Sequence, residues 1–174
     1  EDQLDGYLDE VAALPREFRD RIPVRLGLEA DYAEGHEDEL APWLEELFRL
    51  HELRWHADGH PGSFADRRRR AFYQAFTRTA LARGELAFAR LEEGGTVSAT
   101  QLGVCIGERY YQIQEGFDPA REDDRVGTAL RGLALAEHIA RGVRVYDFMA
   151  GDSRHKRDWG GVERGCTTIA RACL

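Results

Sequence analysis

The sequence predicts a mixed α/β domain in which helices cover both faces of a mostly antiparallel central sheet. Three strand-like segments follow one another between Leu86 and Gln114, separated by short turns that contain glycine. This is the pattern of an antiparallel meander. A helix-like segment and a further strand-like segment then follow. A strand, a helix and a returning strand form a crossover unit, so we expect the sheet to be mixed.

Composition limits the class of protein. The chain has 174 residues, of which 43% are hydrophobic and 32% are charged, which is typical of one globular domain with a substantial core. The formal net charge of -8 argues against a general nucleic-acid-binding surface, although it leaves room for a local basic groove. No apolar run approaches the length of a membrane span.

The termini and cysteines point to a cytoplasmic protein. The first residues are acidic and polar, so we expect no signal peptide, and the absence of an initiator Met is compatible with a fragment or a processed chain. The three cysteines, Cys105, Cys166 and Cys173, lack the spacing of metal ligands, and their odd number fits a reducing compartment.

The first third of the chain predicts two helices around a short strand. Residues Leu4 to Arg21 carry apolar side chains at helical spacing, and Ile22 to Leu28 form a short apolar run. From His36 to Ala57, a single stripe holds the large apolar side chains and also His51. We therefore expect His51 to be a core histidine with one hydrogen bond, rather than a catalytic one.

A Gly- and Pro-containing loop and a basic helix come next. Arg54 and Trp55 end the preceding helix just before the loop from His56 to Phe64, and such loops often shape substrate clefts. Arg54 is a candidate for acceptor binding or for helix capping. The run Arg67 to Arg70 opens an amphipathic helix that Gly84 ends, which favours a solvated face over a phosphate site.

The crossover unit is the segment around which the chain is organised. An aromatic strand leads from Tyr110 to a turn at Asp118-Pro119, and Gly127 and Thr128 open a helix that runs to Ala140. The alternating run Val143 to Met149 predicts the returning strand, and the charged segment from Gly151 to Trp159 closes the unit. The start of this helix offers unpaired N–H groups to an anion, so we expect a phosphate-bearing ligand there.

Several motifs in this order resemble those of the GNAT acyltransferases. The resemblance is to the branch of acetyltransferases linked to cellulose biosynthesis, which is related to the Fem-type aminoacyl transferases. It covers about residues 40 to 160 and rests on Leu50-His51-Glu52-Leu53-Arg54-Trp55, Gly59 to Phe64, Tyr110-Tyr111, Phe117-Asp118-Pro119, and Tyr146-Asp147-Phe148-Met149-Ala150-Gly151-Asp152 followed by Lys156 and Trp159. It implies a GNAT-like sheet in which the donor, acetyl-CoA or another acyl-CoA, wedges between two strands that splay apart.

The resemblance also implies the donor-binding residues. GNAT enzymes wrap the pyrophosphate with a Gln/Arg-x-x-Gly-x-Gly/Ala loop, and the matching window here is Asp124 to Ala129. Asp124 departs from the pattern, because an acidic side chain repels a pyrophosphate, while nearby arginines supply positive charge. The predicted donor-binding residues are Arg121, Arg125, Val126, Gly127, Thr128 and Ala129. An ordinary helix start in a crossover is the alternative interpretation of this window.

Catalytic and acceptor residues are predicted from the same motifs. Acyl transfer needs a deprotonated acceptor, and Asp147 or Asp152 is the candidate general base, with Lys156 as a candidate partner for an acceptor phosphate or carboxylate. Structural pairing of Asp147 with Arg144 or Lys156 is the alternative. The predicted substrate-binding residues are Arg54, Trp55 and Tyr111. We expect no metal site, because Gly59 and Pro61 break the helix that would align His56 with His60.

Three functions follow from the resemblance. The first is an acyltransferase acting from acyl-CoA on an amine or hydroxyl, with a small-molecule or glycan acceptor in cell-envelope or polysaccharide metabolism. The second is a Fem-like transferase using charged tRNA, the one exception to the expectation of no nucleic acid. The third is a non-catalytic interaction module. Many members of the family that the chain resembles contain two GNAT-like halves. By this resemblance, residues 1–35 are a leading helix and first strand that connect to a preceding half-domain missing here, and residues 36–174 are the GNAT-like domain. A second half or a homodimer is a candidate partner.

Overall fold

The computed structural model describes residues 24–26, 37–57, 59–151 and 154–165. Five strands form one sheet in the order β1-β2-β3-β4-β5. In chain order the elements are β1 (Val24–Leu26), α1 (Glu37–Ala57), α2 (Arg67–Ala82), β2 (Leu86–Glu93), β3 (Thr96–Ile106), β4 (Arg109–Phe117), α3 (Val126–Ala140), β5 (Val145–Asp147) and α4 (Arg154–Asp158). Short 3-10 turns lie at Ser63–Ala65 and Pro119–Arg121.

The sheet confirms the predicted mixed topology. Strands β1 to β4 pair antiparallel in sequence order, and β5 pairs parallel with β4 after the α3 crossover. The first turn of the meander contains only Gly94 and Gly95, because β2 continues to Glu93. Both glycines have positive φ, which a two-residue hairpin turn requires.

Helices cover both faces, as predicted. On one face, α1 and α2 pack over the sheet in a cluster that includes Leu47, Phe48, Phe64 and Phe88. On the other face, α3 places Val126, Leu130 and Ala134 against β2 and β3. The close packing of α1 requires glycine in β4, since a Cβ at Gly116 would lie 2.9 Å from the backbone nitrogen of His51. His51 is buried, as its place on the apolar stripe predicts.

Strand β4 bends near its middle. Its register against β3 shifts between Leu102 and Gly103, so that Leu102 faces Gln114 while Gly103 faces Gln112, and Ile113 is the extra residue. A bulge of this kind bends a strand and redirects the residues beyond it. The bulge therefore allows the second half of β4 to separate from β5, its neighbour on the side opposite β3.

Some sequence-based boundaries were wrong. The returning strand is only Val145–Asp147, not Val143 to Met149, and the charged segment after Gly151 contains the short helix α4. Strand β4, in contrast, runs to Phe117, directly before the predicted turn at Asp118-Pro119. The first predicted helix, Leu4 to Arg21, lies outside the described residues. Among the described residues, none of the helices is both long and apolar enough to cross a membrane.

Candidate functional site where β4 and β5 separate

The two parallel strands pair over only three residues. The last pair is Tyr111 with Asp147, and β4 continues to Phe117 without β5 beside it. The structure thus contains an opening between two splayed strands, with α3 on one side. Among the described residues, no strand pairs with the backbone groups of β4 that face the opening, which leaves them available to an extended ligand.

Asp147 and Lys156 hold the turn that ends β5. The carboxylate of Asp147 accepts a hydrogen bond from the backbone N–H of Met149 (2.9 Å), and Met149 adopts a left-handed conformation with φ of 59°. Lys156 Nζ then donates to the carbonyls of Met149 (3.3 Å) and Ala150 (2.7 Å). These bonds form directly after the last β4–β5 pair, so two of the three predicted catalytic residues, Asp147 and Lys156, lie at the strand separation.

Asp147 also forms an ion pair that the sequence did not predict. Arg109 Nη1 donates to Asp147 Oδ2 at 3.2 Å, and both side chains are about one-third exposed. The alternative pairing predicted for Asp147 named Arg144 or Lys156, whereas the partner is Arg109. The guanidinium of Arg109 also lies over the ring of Tyr111, 5.8 Å from its centroid. Asp147 and Tyr111 therefore lie close together on the face of α1.

The start of α3 lies near the end of β4 and carries backbone N–H groups without an acceptor in the helix. The first helical backbone bond is donated by Ala129 to Arg125 (2.9 Å), so the N–H groups of residues 126–128 have no acceptor within the helix. Arg125 precedes the helix with φ of 52° and makes no side-chain cap. Val126 and Ala129 are buried in the core and anchor the helix, while Thr128 is exposed.

The acidic departure from the donor-loop pattern is neutralised. Arg121 Nε forms an ion pair with the carboxylate of Asp124 within the turn that leads into α3. A carboxylate paired with a guanidinium repels an approaching anion less than a free one does, because the two charges offset each other. Arg125 is exposed beside it and adds a further positive charge.

Phe117 connects α1 with the start of α3. A Cβ built on Gly127 would lie 3.3 Å from Cδ1 of Phe117, so glycine lets the helix approach the end of β4 closely. The guanidinium of Arg54 lies over the same ring, 5.0 Å from its centroid. Arg54 is thereby placed next to the α3 N-terminus, and in the last turn of α1 its charge also suits the helix dipole.

Trp55 lies apart from this group. Its indole Nε1 donates to Nε2 of His51 at 2.9 Å, and 38% of the residue is exposed. Nδ1 of His51 is buried and has no hydrogen-bond partner within the described part of the chain. Burial, together with the charge of Arg54, lowers the pKa of His51 to about 4, so the imidazole is neutral near pH 7. Asp152 lies outside the described residues.

A buried polar network lies on the α3 side of the opening, and sequence reasoning missed it. Arg131 of α3 pairs with Glu115 of β4. Glu115 also accepts from Gln112 Nε2 (2.9 Å), and the hydroxyl of Tyr146 donates to Gln112 Oε1 (2.8 Å). The guanidinium of Arg131 lies 5.2 Å from the ring centroid of Trp159. The network therefore links β4, α3, β5 and the segment after α4.

The network keeps one hydroxyl protonated. Burial raises the pKa of Tyr146 well above its ordinary value, more than the nearby guanidinium of Arg131 lowers it. Tyr146 is therefore a hydrogen-bond donor across the working pH range. The one available signal in the sequence was a lone arginine, Arg131, inside the apolar run of the crossover helix. No group of three or more potential metal ligands occurs among the described residues.

Comparisons with known proteins agree with this geometry. A family model described as the acetyltransferase (GNAT) domain matches residues 12–157. The fold is similar to that of a GCN5-related N-acetyltransferase from Ralstonia eutropha JMP134, with a TM-score of 0.59 and 15% identity over 87% of this chain and 98% of that one. No curated protein sequence matches the chain.

Aminoglycoside acetyltransferases are also similar in fold. The structure of AAC(6')-Iy in complex with a bisubstrate analogue, CoA-S-monomethyl-acetylneamine, gives a TM-score of 0.54 and 12% identity over 88% of this chain and 99% of that one. An aminoglycoside acetyltransferase from an uncultured soil metagenomic sample, in complex with sisomicin, gives a TM-score of 0.55 and 8% identity over 90% of this chain and 98% of that one. At these identities the likeness concerns the fold alone.

Proposed function

Because the chain belongs to the acetyltransferase (GNAT) domain family, we propose that it transfers an acetyl group from acetyl-CoA to an amine of a small-molecule acceptor. The observation that carries the proposal is the separation of β4 from β5 beside the unpaired N–H groups of α3. An opening between strands accommodates an extended thioester arm, and a helix N-terminus favours its phosphates.

The residues at the opening fit a CoA thioester. The N–H groups of residues 126–128 suit the pyrophosphate, and Gly127 lets the start of α3 lie close to Phe117 at the end of β4. Arg125 adds positive charge, and Arg121 offsets the charge of Asp124. Bound at this position, CoA supplies an activated acyl group, while the chain's own residues orient it and exclude water.

Asp147 is our candidate for the group that removes the proton from the acceptor amine. Its carboxylate is partly exposed at the strand separation and is fixed by Arg109 and the Met149 N–H. A fixed carboxylate accepts a proton without reorganising, which favours general-base catalysis. Asp152 stays a candidate for the same role. Lys156 donates to two backbone carbonyls, which favours a positioning role.

An amine acceptor is favoured over a hydroxyl by the fold neighbours that carry aminoglycoside acetyltransferase names. Arg54 and Tyr111 lie on the α1 side of the opening and are our candidates for the acceptor wall. A glycan acceptor, a longer acyl donor, the cellulose-linked branch, the Fem relation, a dimer and a cytoplasmic location all stay predictions from the sequence. The division into residues 1–35 and 36–174 stays a prediction as well.

Calorimetric titration tests the proposal. The chain is titrated with acetyl-CoA, free CoA and a long-chain acyl-CoA, and acetyl transfer is then measured with amino sugars, polyamines and their hydroxyl analogues. We expect micromolar binding of acetyl-CoA and turnover confined to amines. Failure to bind any CoA species would overturn the proposal and favour the non-catalytic alternative. Turnover of hydroxyl analogues alone would overturn the amine assignment.

A further inference from the structure

Helix α2 carries an unusual set of charges for this chain. Its sequence, RRRRAFYQAFTRTALA, contains five arginines and no acidic residue, whereas the whole chain has a net charge of -8. Four of those arginines lie in the first turn, where the helix dipole disfavours cations. Arginines at this end of the helix dipole destabilise the helix slightly, so we expect them to have a role outside helix formation.

Most of these arginines lack a carboxylate partner. Arg70 is half-buried and pairs with Glu45 (3.3 Å) and Glu52 (2.8 Å) of α1. Arg67, Arg68 and Arg69 are exposed and form no ion pair within the described part of the chain. The same is true of Arg78 and Arg83 further along. The helix therefore presents positive charge that no carboxylate of the described residues pairs with.

An exposed aromatic ring lies within this charged face. Phe72 is 60% exposed, the most exposed aromatic residue of the described chain. Its ring stacks on Phe76 with centroids 6.0 Å apart and planes inclined by 14°, and it meets Tyr73 edge-on at 5.4 Å. These contacts hold the ring in place while one side faces solvent. Phe72 is thus a rigid platform for another planar group.

The arginines flank the platform along the helix. Arg68 and Arg69 lie about one turn before Phe72, and Arg83 lies about three turns after it on nearly the same line, since the helix turns every 3.6 residues. From Arg68 to Arg83 the face extends roughly 22 Å at 1.5 Å per residue. We define these four residues, Arg68, Arg69, Phe72 and Arg83, as the α2 face.

From this arrangement we infer that the α2 face binds single-stranded nucleic acid. Guanidinium groups bind phosphates, and an exposed ring between them stacks on an unpaired base. A membrane surface fits less well, because the apolar side of α2 is already buried against the domain through Tyr73, Thr77, Ala80 and Leu81. An acidic peptide would use the arginines but would have no need of the exposed ring.

The expected strength depends on salt. About three phosphate contacts on a single strand give a slope near -2 in log affinity against log salt, so affinity falls roughly 20-fold between 50 and 200 mM salt. The overall negative charge keeps binding weak at physiological salt and limits it to this local face. This inference is independent of the proposed acetyl transfer.

Fluorescence anisotropy with the full 174-residue chain tests the inference. The probes are 12-nucleotide oligouridine, the same length of oligothymidine, a matched RNA duplex, polyglutamate and phosphatidylserine vesicles. We expect both single strands to bind and the duplex, polyglutamate and vesicles to bind at least 10-fold more weakly. Single-stranded RNA bound more tightly than DNA would identify RNA as the source, and the reverse would identify DNA.

Variants separate charge from stacking. Arg68→Gln/Arg69→Gln should reduce the salt slope to about -0.7, and Phe72→Ala should weaken binding about 10-fold at constant slope. The matched control is Arg144→Gln, which removes an exposed arginine beside β5 and should leave binding unchanged. Equal binding of Phe72→Ala, preference for polyglutamate or vesicles, or no binding at 50 mM salt would each overturn the inference. Unchanged thermal unfolding confirms that the variants fold.

Discussion

Arg131 and Glu115 form an ion pair inside the domain, beyond the last residue at which β4 pairs with β5. The side chain of Arg131 is 7% exposed and that of Glu115 is 21% exposed. Each charge compensates the other where little water is available. The pair joins the α3 crossover to the part of β4 that lines the opening, so it fixes the position of β4 without help from β5.

Removing one member of this pair should destabilise the fold strongly. Glu115→Ala leaves the guanidinium of Arg131 buried and uncompensated, which costs about 3 kcal/mol in such pairs. Arg131→Met in the same chain should recover most of that loss, because the buried charge is then absent. Urea unfolding of the single and double variants measures the difference.

A surface pair provides the control for this prediction. Glu137→Gln removes a carboxylate from the i,i+4 pair with Arg141 on the exposed side of α3, and should change the unfolding free energy by about 0.5 kcal/mol or less. Equal losses at Glu115 and Glu137, or no recovery in the double variant, would contradict the assignment of a buried, compensated pair.

The elements with strong local patterns were predictable, and the site contacts were not. The helical stripe of α1 follows from side-chain periodicity, and the predicted helix from His36 to Ala57 matches the structure closely. The early end of β5 does not follow from periodicity. The hydrogen bond from the Met149 N–H to the Asp147 carboxylate and the left-handed backbone of Met149 end the strand although the alternating pattern continues. The pairing of Glu115 with Arg131 depends on the crossover packing, which no local pattern encodes.

Filling the space at Gly127 should weaken donor binding. The β-branched side chain of Gly127→Val places its Cβ 3.3 Å from the Phe117 ring, so the ring or the start of α3 must shift by a few tenths of an ångström. The N–H groups of residues 126–128 then lose their direction toward the phosphates. We expect at least a 10-fold loss of CoA affinity by calorimetry, about 1.4 kcal/mol, with the fold retained.

Thr128→Ala is the matched control for Gly127. It changes an exposed side chain on the same turn but keeps the backbone N–H, so CoA affinity should stay within about 3-fold of the parent, well inside 1 kcal/mol. If Gly127→Val binds CoA with unchanged affinity, the start of α3 is not the phosphate site.

Stability should fall between pH 6.5 and about 4 because of His51. Its pKa is lowered to about 4 in the folded chain, first by burial and then by Arg54, against 6.5 in the unfolded chain. Above pH 6.5 His51 is neutral in both the folded and the unfolded chain, so it does not lower the free energy of unfolding. Below pH 6.5 the unfolded chain binds a proton that the folded chain does not, which lowers the unfolding free energy by roughly 3 kcal/mol at most.

Comparison of two histidine variants isolates this effect. His51→Gln keeps a side-chain acceptor for Trp55 and should flatten the denaturation free energy between pH 6.5 and 4 relative to the parent. His56→Gln changes an exposed histidine in the same helix and should keep the parental slope. Parallel curves for the parent and His51→Gln would contradict the burial assigned to His51. His138, whose pKa burial also lowers to about 4, should act in the same direction.

Asp147 offers the sharpest test of the chemistry, because its two roles separate in two variants. Asp147→Asn keeps an oxygen for the Met149 N–H but removes the base and the ion pair. Arg109→Gln removes the same ion pair and keeps the carboxylate. If Asp147 accepts the proton, kcat should fall at least 100-fold in Asp147→Asn, within the contribution expected of a general base, while acetyl-CoA affinity holds. Arg109→Gln should then retain most of the turnover. Equal, small losses in both variants would assign Asp147 to shaping the strand separation, and the base would have to be sought elsewhere, with Asp152 the next residue to replace.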